Sequence, residues 1–282
     1  MDKMIINVLF LIAVSFLLTD KVLSQQQQEH QIKYYVAEDG KLYWNKKLPV
    51  YIRITPTPAD SGILMKSENT KDYTNPYYLD TEGINRIRSR WATNQETGAT
   101  IFPQFEVIWE VYADGIPPES KLVFSNSANY KKGSNDFYGD KVTIKIVSTD
   151  EVSGVEQIYY SINGEAYKPY TSELKIDREG AQFIKYYAVD HVGNVETPKE
   201  KRFTADITPP KTYYTITGIA EGEIVAVTTK IYLSSEDSLS GVADIYYKID
   251  DGKETVYTAG SFVPIAQLSD GNHKLAIYSV DK

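Results

Sequence analysis

The chain contains no cysteine among its 282 residues. That excludes disulfides, thiolate metal sites, Cys nucleophiles and a lipid-modified Cys anchor. Histidine is nearly as scarce. His30, His191 and His273 share no metal-ligand spacing, and His-Glu-x-x-His is missing; each reads as an ordinary surface residue. Gly-x-Ser-x-Gly, the Walker loop and Gly-x-Gly-x-x-Gly are also missing, so the chain encodes neither a nucleophile elbow nor a phosphate cradle. No basic cluster stands out against a net charge of −8, which argues against nucleic acid or an anionic lipid surface as a partner.

Long apolar runs are lacking too, apart from Ile5–Leu18, which follows Lys3 and has 14 residues. A membrane-spanning helix needs about 20. Val22 and Ser24 then stand at positions −3 and −1 of a plausible cleavage site. The pattern predicts a secretory signal peptide over 1–24, no transmembrane span after it, and a polar, loosely held leader over 25–37 beginning Gln-Gln-Gln-Gln. The signal carries two acids and two lysines, Asp2, Asp20, Lys3 and Lys21, so its removal leaves the net charge unchanged. An exported chain without disulfides must be held by its cores alone.

What is abundant is tyrosine, with 23 copies, in a chain that is 42% hydrophobic and 24% charged. The balance is globular, and aromatic enrichment favours strands. The chain also repeats itself. Ser61-Gly62, Ser153-Gly154 and Ser240-Gly241 are 92 and 87 residues apart, and Ile-Pro-Pro (116–118) and Thr-Pro-Pro (208–210) are 92 apart, preceded by Asp114 and Asp206. Asp-Thr-Glu-Gly (80–83), Asp-Arg-Glu-Gly (177–180) and Leu-Ser-Asp-Gly (268–271) form a further set, each followed by an alternating apolar segment. Several landmarks in one order mark a tandem repeat.

In the second copy, apolar and polar residues alternate through Val142, Ile144 and Ile146 and through Ile158, Tyr160 and Ile162, as in half-buried strands. Asn163-Gly164 is a two-residue hairpin turn. About seven short strands in roughly 90 residues is the scale of an immunoglobulin-like sandwich. The expected fold is all-β: immunoglobulin-like sandwich modules over 38–118 (divergent), 119–210 and 211–282, joined by stiff Pro-Pro linkers. In Tyr-Tyr pairs one ring should face the core and one the solvent.

The segments Ser-Gly-Val-x-x-Ile-Tyr-Tyr-x-Ile, Tyr-Tyr-Ala-Val-Asp, Gly-Asn-Val-Glu and Asp-x-Thr-Pro-Pro resemble a bacterial extracellular β repeat family. It is named after a leptospiral outer-membrane protein and carries a β-barrel-type label. It is similar to the immunoglobulin-like module at the C-terminus of chitobiases. The match is close over 138–210, good over 225–282 and weaker over 38–118. The resemblance implies a cell-envelope or secreted role in spacing, adhesion or attachment, not catalysis. The strands are too short for a membrane barrel, which needs about 9–11 residues each. The third copy lacks the turn and last strand that follow Ala188-Val189-Asp190 in the second. The expectation is a truncated record of a longer protein, the alternative a partner that donates the strand.

Two sets of site candidates follow. Asp150 and Glu151 share one end of the second sandwich with Asp190 and Asn194. Oxygen ligands from converging loops suit Ca²⁺, and Asp150, Asp190 and Asn194 are the candidate ligands. The third copy offers Glu236, Asp237 and Asp281, and the first Asp60, Thr93 and Asn94. The competing reading is that these residues make Asx turns. In the divergent copy, Trp44, Trp91 and Tyr77 are candidate ligand-binding aromatics, with Trp109 nearby; the competing reading makes the tryptophans core residues.

The expected function is that of a non-enzymatic bacterial envelope or secreted multi-repeat protein, in the periplasm, on the outer surface or in the medium. It would space or present something, with envelope proteins or glycans as partners and no cofactor unless Ca²⁺. Alternatives are the non-catalytic N-terminal part of a larger secreted hydrolase, or a carbohydrate- or matrix-binding adhesin with the first repeat as head.

Overall fold

The structure is a computed structural model. It describes residues 28–51, 53–54, 63–64, 76, 78–89, 92–93, 97–101, 107–222 and 224–282. The signal segment, Ser61-Gly62, Asp60, Asn94, Trp91 and Tyr77 lie outside the described residues. Among the described residues every regular element is a strand, and the strands form several sheets. The chain divides into two compact units: Met1–Val123 with Ile146–Ser172 and Ile184–Glu200, and Phe124–Lys145 with Glu173–Phe183 and Lys201–Lys282.

In the first unit one sheet has the order Tyr34–Val36, Leu42–Asn45, Val107–Asp114, Gly83–Ser89. Leu42–Asn45 runs parallel to Val107–Asp114, with Trp44 beside Ala113 and Asn45 beside Asp114. The core under this sheet is Val50, Leu79, Val111 and Ala113, lined by Leu42, Trp44 and Trp109. Trp44 also donates its indole N–H to Leu48 O and stacks on Tyr34 at 5.6 Å.

The same unit holds the pairing of Val155–Ile162 with Gly180–Asp190, from Val155 opposite Asp190 to Ile162 opposite Ile184, with an irregularity between Val155 and Gln157. Asn163 and Gly164 both have positive φ, and Glu165 N–H closes the turn onto Ile162 O. This is the tight turn that Asn-Gly favours.

The expectation of one inward and one outward tyrosine fails here. Tyr186 and Tyr187 are both buried. Their strand is interior, between Val155–Ile162 and Lys199–Ala205, and its outer face is covered as well. Tyr187 packs with Tyr159, Tyr167, Val189 and Val195, and the segment before Tyr34 lies across it. Gln28 N–H donates to Tyr187 Oη, the His30 ring sits 5.1 Å from Tyr159, Lys33 N–H donates to Val192 O, and Lys33 pairs with Glu156.

In the second unit, Asn129–Lys132 and Asn135–Tyr138 form a hairpin whose second strand runs parallel to Lys199–Ala205. Phe124, Tyr138 and Phe203 cluster by stacking and edge contacts. Farther along, Lys211–Thr217 pairs with Lys230–Glu236, and Val242–Ile249 lies between Thr255–Val256 and Leu275–Asp281. The two sheets share one core: Ile231, Leu233, Tyr257 and Val263, with Ile216, Ile245, Ile249 and Ile277 against it. That is sandwich-like packing of sheet on sheet. Tyr213 and Tyr214 are both exposed, a second exception to the expected alternation.

Val242–Ile249 and Leu275–Asp281 reproduce the register of their counterparts in the second repeat. Val242 lies opposite Asp281, Ile249 opposite Leu275, and the irregularity falls between Val242 and Asp244. A recurrent register with a recurrent bulge is a structural repeat, not a chance likeness of composition.

Candidate metal centres

Three aspartates meet in the first unit. Asp114 ends the strand Val107–Asp114, Asp150 follows Thr143–Thr149, and Asp190 ends Gly180–Asp190. Each offers an oxygen, and these oxygens lie within 4.8 Å of one another. Asp206, Asp237 and Asp281 make the same arrangement in the second unit. The members recur at 92, 87 and 91 residues, the separations of the repeat landmarks.

Local chemistry explains each position. Asp150 Oδ1 accepts the amides of Val152 (3.2 Å) and Gly154 (2.7 Å), and Asp237 Oδ1 those of Leu239 (3.0 Å) and Gly241 (2.7 Å). These are Asx-type loops, and the glycine closing each has positive φ, 79° and 88°, where a side chain costs about 1–2 kcal/mol. The Ser-Gly landmark thus has two jobs. Its glycine closes the loop, and its serine amide reaches the linker aspartate: Ser153 N–H donates to Asp114 Oδ2 (3.1 Å), Ser240 N–H to Asp206 Oδ2 (2.8 Å).

Asp190 Oδ1 accepts the amides of Val192 (2.9 Å) and Asn194 (2.8 Å), and its Oδ2 accepts Asn194 Nδ2 (2.8 Å). Asn194 Oδ1 accepts Asn45 Nδ2 (2.9 Å), and Asn194 Nδ2 also reaches Asp114 Oδ1 (3.3 Å). In this orientation Asn194 braces the carboxylates as a donor rather than presenting its oxygen. Asn45, fully buried, connects the first repeat to the loop after Asp190.

The Glu-Gly landmark belongs to the same junctions. Glu82 accepts the amide of Gly115, just after Asp114, at 3.0 and 3.2 Å, and Glu179 accepts that of Ile207, just after Asp206, at 3.1 Å. On the downstream side of the first linker, buried Glu196 accepts the amides of Ser120 (2.9 Å) and Ala188 (3.0 Å) and pairs with Lys199 at 2.8 Å.

The electrostatics of the triads are unbalanced. Asp114 and Asp190 have no exposed surface. Burial, with repulsion from Asp114 added, pushes Asp190 up to about 6 against the opposing bonds from Asn194 and Val192. Burial first, then the charge of Asp114, raises Asp150. Burial, then Asp206 and Asp237, raises Asp281. Glu82 is also raised, by burial and by its nearness to Asp114. Among the described residues no Lys or Arg pairs with any of the six aspartates. Among the described residues two buried side-chain oxygens lack a hydrogen-bond partner, Ser153 Oγ and Asp206 Oδ1, one on a residue of each junction.

Of the sequence candidates, the structure therefore brings Asp150 and Asp190 together, with Asn194 bracing Asp190, and brings Asp237 to Asp281. It adds Asp114 and Asp206, which the sequence presents only as linker landmarks. Trp44 is half-buried on the first core. His191 stacks on Tyr35 at 4.4 Å with Nδ1 3.0 Å from Gly154 O, and His273 bonds Asp250 at 2.7 Å, so neither histidine joins a triad. No helix among the described residues is long and apolar enough to cross a membrane. No protein-family model and no curated protein matches the chain, so the family resemblance rests on the quoted motifs alone.

Proposed function

We propose that the protein is a non-enzymatic, exported bacterial protein built of tandem immunoglobulin-like modules that spaces or presents interaction surfaces at the cell envelope. The modules are 38–118, 119–210 and 211–282, following a signal peptide over 1–24. One observation carries the reading: the same junction is built twice, with linker aspartate to serine amide and glutamate to linker amide in each. Recurrent junctions serve a protein whose purpose is the spacing of its parts. A catalytic centre is needed once, whereas these polar clusters recur with the repeat. The motif resemblance to the leptospiral-type repeat supports the same placement.

Protease shaving of intact source cells, followed by immunodetection, tests the proposal. The expected result is loss of the protein from unlysed cells, or its recovery in the periplasmic or medium fraction. Retention in the cytoplasmic fraction sinks the reading. Turnover of chromogenic glycosides by the purified chain would sink the non-enzymatic part.

A further inference from the structure

We propose that each aspartate triad is a Ca²⁺ site, so that the chain binds two calcium ions, each clasping the end of one repeat to a loop and a strand end of the next. The inference goes beyond the spacer reading and does not depend on where the protein resides.

The geometry suits one ion per triad. Three carboxylate oxygens within 4.8 Å of one another surround a space of the size that a Ca²⁺ ion fills, with its oxygens at about 2.3–2.6 Å. The donors are oxygens from strand ends and from the Asx loop of Asp150 or Asp237. Such a set matches a hard cation with flexible coordination better than Mg²⁺, which demands a near-ideal octahedron at about 2.0–2.1 Å. Zinc and copper favour nitrogen and sulfur, and His191, next to Asp190 in the chain, is turned to Gly154 O and Tyr35.

Clustered acids alone do not make a site, and a separate observation points to a ligand here. Asp206 is 2% exposed; Ser240 holds its Oδ2, and its Oδ1 is buried with no partner. The neighbours of that carboxylate are Asp237 and Asp281. A buried carboxylate that leaves one oxygen without a partner, grouped with two other carboxylates, is costly without a counter-charge. The first triad has its own orphan, Ser153 Oγ on a residue 6% exposed, the residue whose amide bonds Asp114. Both sites thus combine three acids with a buried, unsatisfied oxygen.

Isothermal titration of the full chain with CaCl₂, after chelator treatment and dialysis, tests the proposal. The expected result is two equivalents of Ca²⁺ bound, with no displacement by equimolar Mg²⁺ and a higher melting temperature when loaded. Asp150→Ala and Asp281→Ala should each leave one equivalent. If either fails to fold by circular dichroism, Asp150→Asn and Asp281→Asn, which retain the shape of the side chain, should weaken one of the two sites at least tenfold. Absence of binding at 10-fold excess over about 1 mM Ca²⁺, an extracellular-type affinity, overturns the proposal. So does binding that the variants leave unchanged, which marks adventitious surface carboxylates. The cell-shaving result stands apart from both outcomes, so failure of the calcium sites is distinguishable from failure of the spacer reading.

Discussion

Single residues carry charges whose environments differ enough to separate in a titration. Asp250 holds His273 above its ordinary value of 6.5, helped by Ser269 O, while desolvation brings His30 below it. By proton NMR the His273 ring should titrate above 6.5 and His30 below, and Asp250→Asn should bring His273 down. A His273 midpoint unmoved by that change would refute the pairing. The consequence for stability has a definite sign. A raised histidine contributes stability fully below pH 6.5 and loses it as pH rises through the folded value. Asp250 is depressed below 3.8 by the same contact, so its contribution is present above 3.8 and is lost as pH falls through the folded value. Both groups lie at the surface, so the effect on stability is small. A second residue-scale test concerns Ser153. Ser153→Ala removes an unsatisfied hydroxyl but keeps the amide bond to Asp114, and should raise calcium-free stability by up to about 1 kcal/mol in urea unfolding. A loss of 1 kcal/mol or more would mean that the hydroxyl has a partner.

At the scale of elements, the closing glycines of the two Asx loops offer a matched pair. A Cβ at Gly154 would meet only the His191 ring at 3.6 Å, and one at Gly241 would meet nothing within 4 Å. The cost of Gly→Ala is therefore that of the left-handed backbone, about 1–2 kcal/mol, and should be equal at the two sites by urea unfolding. Asn tolerates this conformation, so Gly→Asn should recover much of the loss. Unequal costs would show that the loops are not equivalent. Much of this level was legible in the sequence. The alternation in 142–146 and 158–162 located Thr143–Thr149 and Val155–Ile162, and Asn163-Gly164 marked its turn, because half-burial writes a period of two. The Tyr186-Tyr187 pair misled, because its strand is covered on both faces and the period is erased. The cover comes from residues 28–33, whose polar composition carries no signal of docking. Asp114 and Asp206 were visible as landmarks, but their partners lie tens of residues downstream, and only the paired registers bring the carboxylates together. Their neighbouring prolines drew attention to stiffness instead of charge.

At the scale of the molecule, polar contacts gather at the seams between successive repeats. Asn45 to Asn194, Ser153 to Asp114 and Glu82 to Gly115 all bind one repeat's chain to another's or to the linker. The segment from Gln28 to Lys33 adds a further strap: it bonds Tyr187 and Val192 in the second repeat and then enters the first repeat's sheet at Tyr34. The first repeat is therefore tied to the second by its beginning as well as by its end. A protease that cuts only the peptide between Gly115 and Pro118 should leave two fragments that travel as one species through gel filtration and part only in denaturant. A severed linker would then be a wound without a separation.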